Sequence, residues 1–365
     1  MRNLAAYIVV AILFSACAST VPLKTQISTL GDEPQDVKEQ YIYGLPQTVL
    51  KVEVNYREST NIPGPYGDYA ERYLGITEVI KQKSKQWKIE DVAVTSFSEP
   101  DPEHYYSLNV LDGEFTGETF RKFLSDGIIH NGTENVKEVL DGEGLLSTHS
   151  SDYLRYVDLG IYTNFEERNE TMYKTLVTDT AYVQVPVQRT VVEQKSPSTK
   201  AREAADFLLE IRLRRFEMLT GEYEVYPDGE AMAAAIEKLD QMEASYLSLF
   251  TGKTVSGLKK KTWFVVPEDG PESSRYRLEM FSGQLGFVPA ELMEGLPLEV
   301  QITPQGKTAR PGNYFTQTGV DNTQNTLYYR IPDVAELKVV LGTSVLSLQR
   351  ISLFQSGAMM TVPVN

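Results

Sequence analysis

The apolar positions of this chain change period twice. From Thr48 to Tyr56 (TVLKVEVNY), Trp87 to Phe97 (WKIEDVAVTSF) and Tyr105 to Leu111 (YYSLNVL), apolar and polar residues alternate, the spacing of half-buried strands. Glu99-Pro100-Asp101-Pro102 breaks the alternation. Asn61 to Gly67 (NIPGPYG) reads as a rigid loop, followed by a short helix from Asp68 to Leu74 with Asp68 as its cap. Weaker strands are expected near Gly127–His130 and Tyr182–Val192. The period then becomes helical. Ser198 to Leu219 contains no Gly or Pro and carries two apolar stripes, one of Ala204, Leu208 and Ile211, the other of Leu209, Leu213 and Phe216. Gly221 is placed to stop this helix. A turn at 226–229, with Asp228 as N-cap, leads to Met232, Ile236, Leu239, Met242, Tyr246 and Phe250 at helical spacing. A short connection between two such helices predicts an antiparallel helical hairpin. After Gly252 the strand period returns, over Lys261–Val266, Tyr276–Phe281, Leu298–Ile302, Thr326–Ile331, Ala335–Leu341 and Val345–Phe354.

These elements predict an α+β fold of two mainly antiparallel β domains, 41–196 and 252–365, with the long hairpin of 197–251 between or against them. No fixed-period repeat emerges, and kinship between the two β blocks is expected in shape alone. Residues 18–40, with Pro22, Gly31 and Pro34 and no sustained period, read as a tether.

The N-terminus changes the picture. Arg2 is followed by eleven apolar residues, Leu4 to Phe14, and then by Ser15-Ala16-Cys17. That run is too short for the ~20 residues that span a bilayer and fits the core of a secretory signal. Small residues before the only cysteine look like a bacterial lipobox, although Phe14 stands where Leu is usual. The expectation is removal of residues 1–16 and lipidation of Cys17. Ordinary signal cleavage after Ala16 or Ala18 is the duller alternative. Similarity to Gram-negative lipoproteins implies the outer membrane. Ala18 to Leu23 lacks the acidic cluster of some surface-exported lipoproteins, so a periplasmic face is expected. With that thiol lipidated, no disulfide can form and stability must come from core burial.

Charge and composition narrow the partners. A net charge of −15 argues against nucleic acid, which needs a basic stripe. It also leaves the lipid as the membrane contact. A hydrophobic fraction of 41% supports folded cores rather than disorder.

Several segments resemble a family of uncharacterised Bacteroidetes lipoproteins known as domain of unknown function 4831. They include Tyr43 to Val54 (YGLPQTVLKVEV), Gly64-Pro65-Tyr66 with Ala70 to Ile76, Glu99 to Pro102, Ile211 to Gly221, Pro227 to Met232, Tyr246 to Thr254, Tyr328 to Pro332 and Gln355-Ser356-Gly357. The resemblance implies an envelope lipoprotein with no assigned activity and brings no catalytic residues with it.

Recognisable chemistry is scarce. His104, His130 and His149 are the only histidines and none has the spacing of a zinc site. Glu99, Asp101, Glu103 and His104 could gather round a cation, but a Pro-punctuated turn with solvated acids is the simpler reading, so no metal and no cofactor are expected. Gly252-Lys253-Thr254 resembles the end of a phosphate loop, yet Leu247 stands at the required glycine and the segment follows a helix. Ser256-Gly-Leu-Lys259 has the Ser-x-x-Lys spacing of acyl-transfer enzymes in strand context. Arg212, Arg214 and Arg215 are expected to pair with Glu210, Glu217 and nearby acids. Tyr66, Tyr69 and Tyr73, beside Pro63 and Pro65, are candidate ligand-binding residues, with stapling of their own loop as the alternative. The leading functional expectation is a non-enzymatic protein that binds or assembles with an envelope protein or glycan. The competing one is a glycan- or wall-acting hydrolase with a dispersed carboxylate pair.

Overall fold

In a computed structural model the described residues are 21–32, 34–131, 164–179, 181–222, 229–292, 294–308 and 324–364. Along the chain these form β1 (Lys24–Thr29), β2 (Glu39–Ile62), a 3₁₀ turn (Gly67–Tyr69) running into α1 (Ala70–Leu74), β3 (Ser84–Asp112), α2 (Glu118–Ser125) and β4 (His130–Asn131). There follow β5 (Phe165–Thr178), β6 (Ala181–Gln194), α3 (Pro197–Thr220), α4 (Gly229–Thr251) and β7 (Lys253–Val265). The remainder is β8 (Ser274–Ser282), β9 (Gly286–Val288), β10 (Leu296–Pro304), β11 (Thr326–Leu341) and β12 (Ser344–Pro363). The structure is β-rich, with few helices.

The first sheet runs β1-β3-β2-β4, and β7 also pairs with β2; the second runs β12-β11-β10-β8-β9. Every pairing is antiparallel. The alternation along β2 decides how the sheets meet. Leu50, Val52 and Val54 point to one side, and with Val92, Val94 and Val265 they pack against Leu298, Val300, Ile302, Leu337, Val339 and Leu353 of the second sheet. One continuous core therefore lies between the sheets. β7, which the sequence reading places in a separate C-terminal domain, pairs with β2 from Leu50↔Val265 to Ile62↔Lys253. A second cluster continues the interior at the other end, with Ile27, Tyr43, Leu45 and Leu108 against Phe120 of α2 and against Leu327 and Val364.

Both long hairpins bend at a proline. Between Gly44↔Tyr105 and Pro46↔Pro100, four residues of β3, Asp101 to His104, stand opposite Leu45 alone. Between Ile331↔Ala358 and Asp333↔Leu353, four residues of β12, Phe354 to Gly357, stand opposite Pro332 alone. Proline has no N–H to give to a ladder, so pairing fails there and the partner strand bulges. The hairpins also share a residue pattern, Tyr43-x-Leu45-Pro46 with Leu50-Lys51-Val52 and Tyr329-x-Ile331-Pro332 with Leu337-Lys338-Val339. The fixed-period reading misses this kinship because the spacing within the pattern differs by one residue.

Several local expectations are corrected. Glu99 to Pro102 does not separate two strands: Glu99 and Pro100 stay in the ladder of the single strand β3, and Asp101 and Pro102 open its bulge. Lys24 to Thr29, assigned to the tether, pairs with β3, with Thr25 and Ile27 buried. Asn325 fixes that strand by accepting the Thr25 N–H at 2.7 Å on its side-chain oxygen. Asp68 does not cap α1: its N-cap is Tyr69 and no side chain makes the capping bond. Near Gly127–His130 only His130–Asn131 is strand. The helix start behaves as its sequence dictates. Ser196 Oγ accepts the Thr199 N–H at 3.1 Å, Pro197 follows it, and Gly221 closes α3 in the left-handed region. Cys17, His149 and the turn at 226–228 lie outside the described residues.

At Gly357 a Cβ would lie 1.8 Å from the Ile331 carbonyl oxygen, whereas at Gly229 it would meet nothing within 4 Å. Gly357→Ala is therefore expected to cost about 2–3 kcal/mol in urea unfolding, with Gly229→Ala neutral or slightly stabilising.

Candidate functional sites

The two bends meet and form a buried ionic centre. Arg330 of β11 is 7% exposed and Asp101 of the β3 bulge 4%, so the pair has left water almost entirely. Arg330 Nη1 donates to Asp101 Oδ2 at 3.0 Å and to the Pro46 carbonyl at 3.4 Å. His104 Nδ1 lies 2.8 Å from the same Asp101 oxygen, and the Glu103 N–H donates to Asp101 Oδ1 at 3.0 Å. Asp269 approaches Arg330 Nη1 at 4.0 Å. Asp101, His104 and Asp269 thus bring three ligand-type atoms within 4.8 Å of one another. The guanidinium sits among them, so the acids already hold a cation that belongs to the chain. Of the four residues the sequence groups here, Asp101 and His104 face Arg330, while Glu99 pairs with Gln47 at 2.9 Å.

A neutral lock adjoins this centre. The Thr48 N–H donates to Gln355 Oε1 at 3.0 Å and Gln355 Nε2 donates to the Thr48 carbonyl at 2.8 Å, so one side-chain amide completes the ladder that the bend interrupts. The Phe354 N–H donates to Thr48 Oγ1, which donates in turn to the Ser352 carbonyl. Ser356 Oγ donates to the Gly270 carbonyl at 2.7 Å, which draws the Asp269 loop inward. Asp333, one residue past the second proline, is buried. Burial alone would raise its carboxyl, but the N–H groups of Val334, Gly306, Lys307 and Thr308 outweigh that and hold it below the usual carboxylate range.

The second candidate is the helical layer. Tyr66, Tyr69 and Tyr73 are half-buried and pack on a cluster formed by Ala70, Ala201, Ala204, Ala205, Leu208, Tyr246, Leu249 and Phe250. The Tyr66 ring is 5.7 Å from that of Phe250, Tyr69 stacks on Tyr73 at 6.1 Å, and Tyr73 Oη shares a 2.7 Å hydrogen bond with Ser198 Oγ. The loop also caps α4, since the Tyr66 and Ile80 N–H groups donate to the Leu249 and Thr251 carbonyls at 2.9 Å. Gly64 is needed for that approach, because a Cβ there would lie 2.3 Å from the Leu249 oxygen. On one side of the loop is an open groove of about 320 Å³ lined by Pro65, Asp68, Glu71, Thr77, Ile80 and Lys81.

Helices α3 and α4 run in opposite directions against each other. Phe207 meets Tyr246, Arg212 Nε donates to Glu243 at 2.7 Å, and Arg215 pairs with Asp240 and Glu243. Arg214 pairs with Glu217 and Glu210 on its own helix. These arginines are committed to acids of the chain rather than to an external anion. Of the two apolar stripes on α3, the Ala204-Leu208-Ile211 stripe is buried, together with Ala201 and Ala205. The other faces outward: Leu209, Leu213, Phe216 and Leu219 are 49–63% exposed. The Ser256-x-x-Lys259 spacing falls on β7, where Lys259 pairs with Glu58 at 2.6 Å over the Trp87 ring.

Residues 39–138 and 157–363 match a protein family described as a domain of unknown function (DUF4831). The chain belongs to that family. Both bends, with Pro46, Asp101, Arg330 and Gln355, and both long helices fall within the DUF4831 match. No curated protein and no solved structure matches the chain.

Arg330→Met leaves Asp101 buried without its counter-charge and is expected to cost ~3–5 kcal/mol in urea unfolding at neutral pH. Arg330→Lys should rescue only part of this, because one ammonium cannot reproduce the planar fork. Because the folded-state value of Asp333 is depressed, its stabilisation is present above the ordinary carboxylate pKa and lost as pH falls through the lower folded value. Asp333→Asn should therefore weaken the protein at neutral pH and flatten its loss of stability below about pH 5, read from urea midpoints across the acid range.

Proposed function

We propose that this DUF4831 protein is a cell-envelope lipoprotein, tethered through Cys17 to the outer membrane and facing the periplasm. We further propose that it is non-enzymatic and binds or assembles with another envelope protein. The observation that carries the binding reading is the outward stripe of α3. A helix that buries one apolar face and leaves a second, made of Leu209, Leu213, Phe216 and Leu219, in water exposes a surface that association would dehydrate. A stripe with three leucines suits a protein partner better than a glycan. The tyrosine loop supports the same layer from beneath, with its rings spent on holding α1 and the capped end of α4 together. Among the described residues no helix is long and apolar enough to cross a membrane.

The competing reading has one observation in its favour. Asp68 and Glu71 both line the groove beside the loop, and a carboxylate pair ~5–9.5 Å apart could serve glycoside hydrolysis. The geometry on the helical layer favours binding, because the apolar stripe has no use in hydrolysis.

Two measurements test the proposal. Mass spectrometry of native protein should find diacylglycerol on Cys17 and no residues before it. In-cell crosslinking should enrich one partner, lost at least ten-fold in Leu213→Glu/Phe216→Glu with the melting temperature unchanged. A bare thiol would remove the tether. Turnover of a cell-wall glycan, abolished by Glu71→Gln, would replace binding with hydrolysis.

A further inference from the structure

Strands β5 and β6 form a ribbon separate from both sheets. They pair along their whole length, from Phe165↔Gln194 to Thr178↔Ala181, and no third strand joins them among the described residues. Fourteen residues per strand give a reach of ~48 Å at ~3.4 Å per residue. Neither face is covered: Tyr173, Val177 and Tyr182 on one face are 65%, 71% and 80% exposed, and Met172, Leu176 and Val187 on the other are 51%, 50% and 46% exposed. A lone two-stranded ribbon is marginal in water, whereas four strands are not. The two edges differ. β6 contains Pro186, which lacks an N–H and interrupts any ladder built on that side, while β5 contains neither Pro nor Gly. The receptive edge is β5.

We infer that β5 pairs antiparallel with β5 of a second copy of this chain, about a two-fold axis at Met172, to give a four-stranded sheet. The charge pattern Glu170-x-Met172-x-Lys174 selects this partner and register. About Met172, each Glu170 stands opposite the other copy's Lys174, twice over, with the two Met172 side chains together. Centring on Thr171 would oppose Arg168 to Lys174, and centring on Glu170, although it matches Glu166 to Lys174, would oppose two glutamates at its centre and pair a shorter length of β5. Centring on Asn169 also matches charges, Arg168 to Glu170, but pairs a shorter length of β5. The chain's negative charge does not forbid the contact, because the two strands carry four acids and three bases. The ribbon is thus close to neutral where the copies would meet. This surface is distinct from the α3 stripe, and the inference stands without it.

The test uses the full chain purified in mild detergent, so that its N-terminal segment is retained. Its mass by sedimentation, corrected for bound detergent, should be that of a dimer at micromolar concentration. Lys174→Glu, which faces Val185 within its own ribbon, should weaken the dimer roughly ten-fold or more by opposing two glutamates to two others. Met172→Cys should crosslink to a dimer under mild oxidation, since directly opposed strand residues lie within disulfide reach. Glu167→Cys and the unsubstituted chain, with Cys17 alone, should not. A monomer throughout, a dimer indifferent to Lys174→Glu, or crosslinking at Asn169→Cys in place of Met172→Cys would overturn the inference.

Discussion

The pairing of β2 with β7 is the constraint on which the rest of the molecule depends. It joins Leu50 to Val265 and Ile62 to Lys253, 215 and 191 residues apart in sequence. The 24-residue β2 then has β3 along one edge and both β4 and β7 along the other, so it is internal to the sheet. Its alternation therefore has to serve one buried face and one solvated face, and it does: Leu50, Val52 and Val54 enter the core while Lys51, Glu53 and Asn55 do not. The same pairing fixes where the helices go. α4 ends at Thr251 and β7 begins at Lys253, so the C-terminal end of α4 is delivered to the end of β2, where the loop from Pro63 to Ile80 caps it. Gly252, with φ of +80° and no room for a Cβ, which would lie 2.6 Å from the Ile62 carbonyl oxygen, is the joint between them.

Given that frame, the two proline bends face one another across the sandwich, and each supplies what the other lacks. Bulging four residues out of a ladder leaves backbone and side-chain polar groups in the interior, which costs free energy unless each finds a partner. Here Arg330 answers Asp101 and the Pro46 carbonyl, and the Gln355 amide answers both polar groups of Thr48. A buried ion pair is weak evidence for net stability, because an apolar replacement of both partners can be as stable. Its value lies in specificity. A one-residue slip of either hairpin would separate Arg330 from Asp101 and strand two charges inside the protein, so the pair excludes alternative registers at the point where proline has weakened the ladder.

The sequence carried the elements better than their partners. Helices α3 and α4 were legible to within a residue or two because propensity and stripe period agree, with Gly221 as the stop of α3. Strand alternation was equally plain in Thr48–Tyr56 and Trp87–Phe97. Three things were hidden for physical reasons. Proline reads as a break when only one strand is visible, and becomes a bulge only when the partner is known, as at Pro102. β1 is a six-residue strand whose burial depends on β3 and Asn325, far away in sequence. The Arg330–Asp101 contact spans 229 residues, and nothing local to either marks it, although both stand in segments that carry the family resemblance. The candidate tyrosines were found from their proline-rich setting; their packing involves helices over a hundred residues distant.

Parts of the surface already matched by partners differ from parts that are not. An arginine cluster, a trio of tyrosines and an acid–histidine group each resemble a binding site when read from sequence. In the folded chain Arg212 and Arg215 are matched by Glu243 and Asp240, the tyrosines by the Ala70–Phe250 cluster, and Asp101 by Arg330. Satisfied groups have little free energy left to give a ligand, since a newcomer must first displace a partner of good geometry. The outward stripe of α3 and the ribbon of β5 and β6 differ in kind. Their apolar side chains gain only when something removes water from them, and the edge of β5 offers backbone groups that only another strand can pair in register. These two unspent surfaces are what the proposed associations rest on.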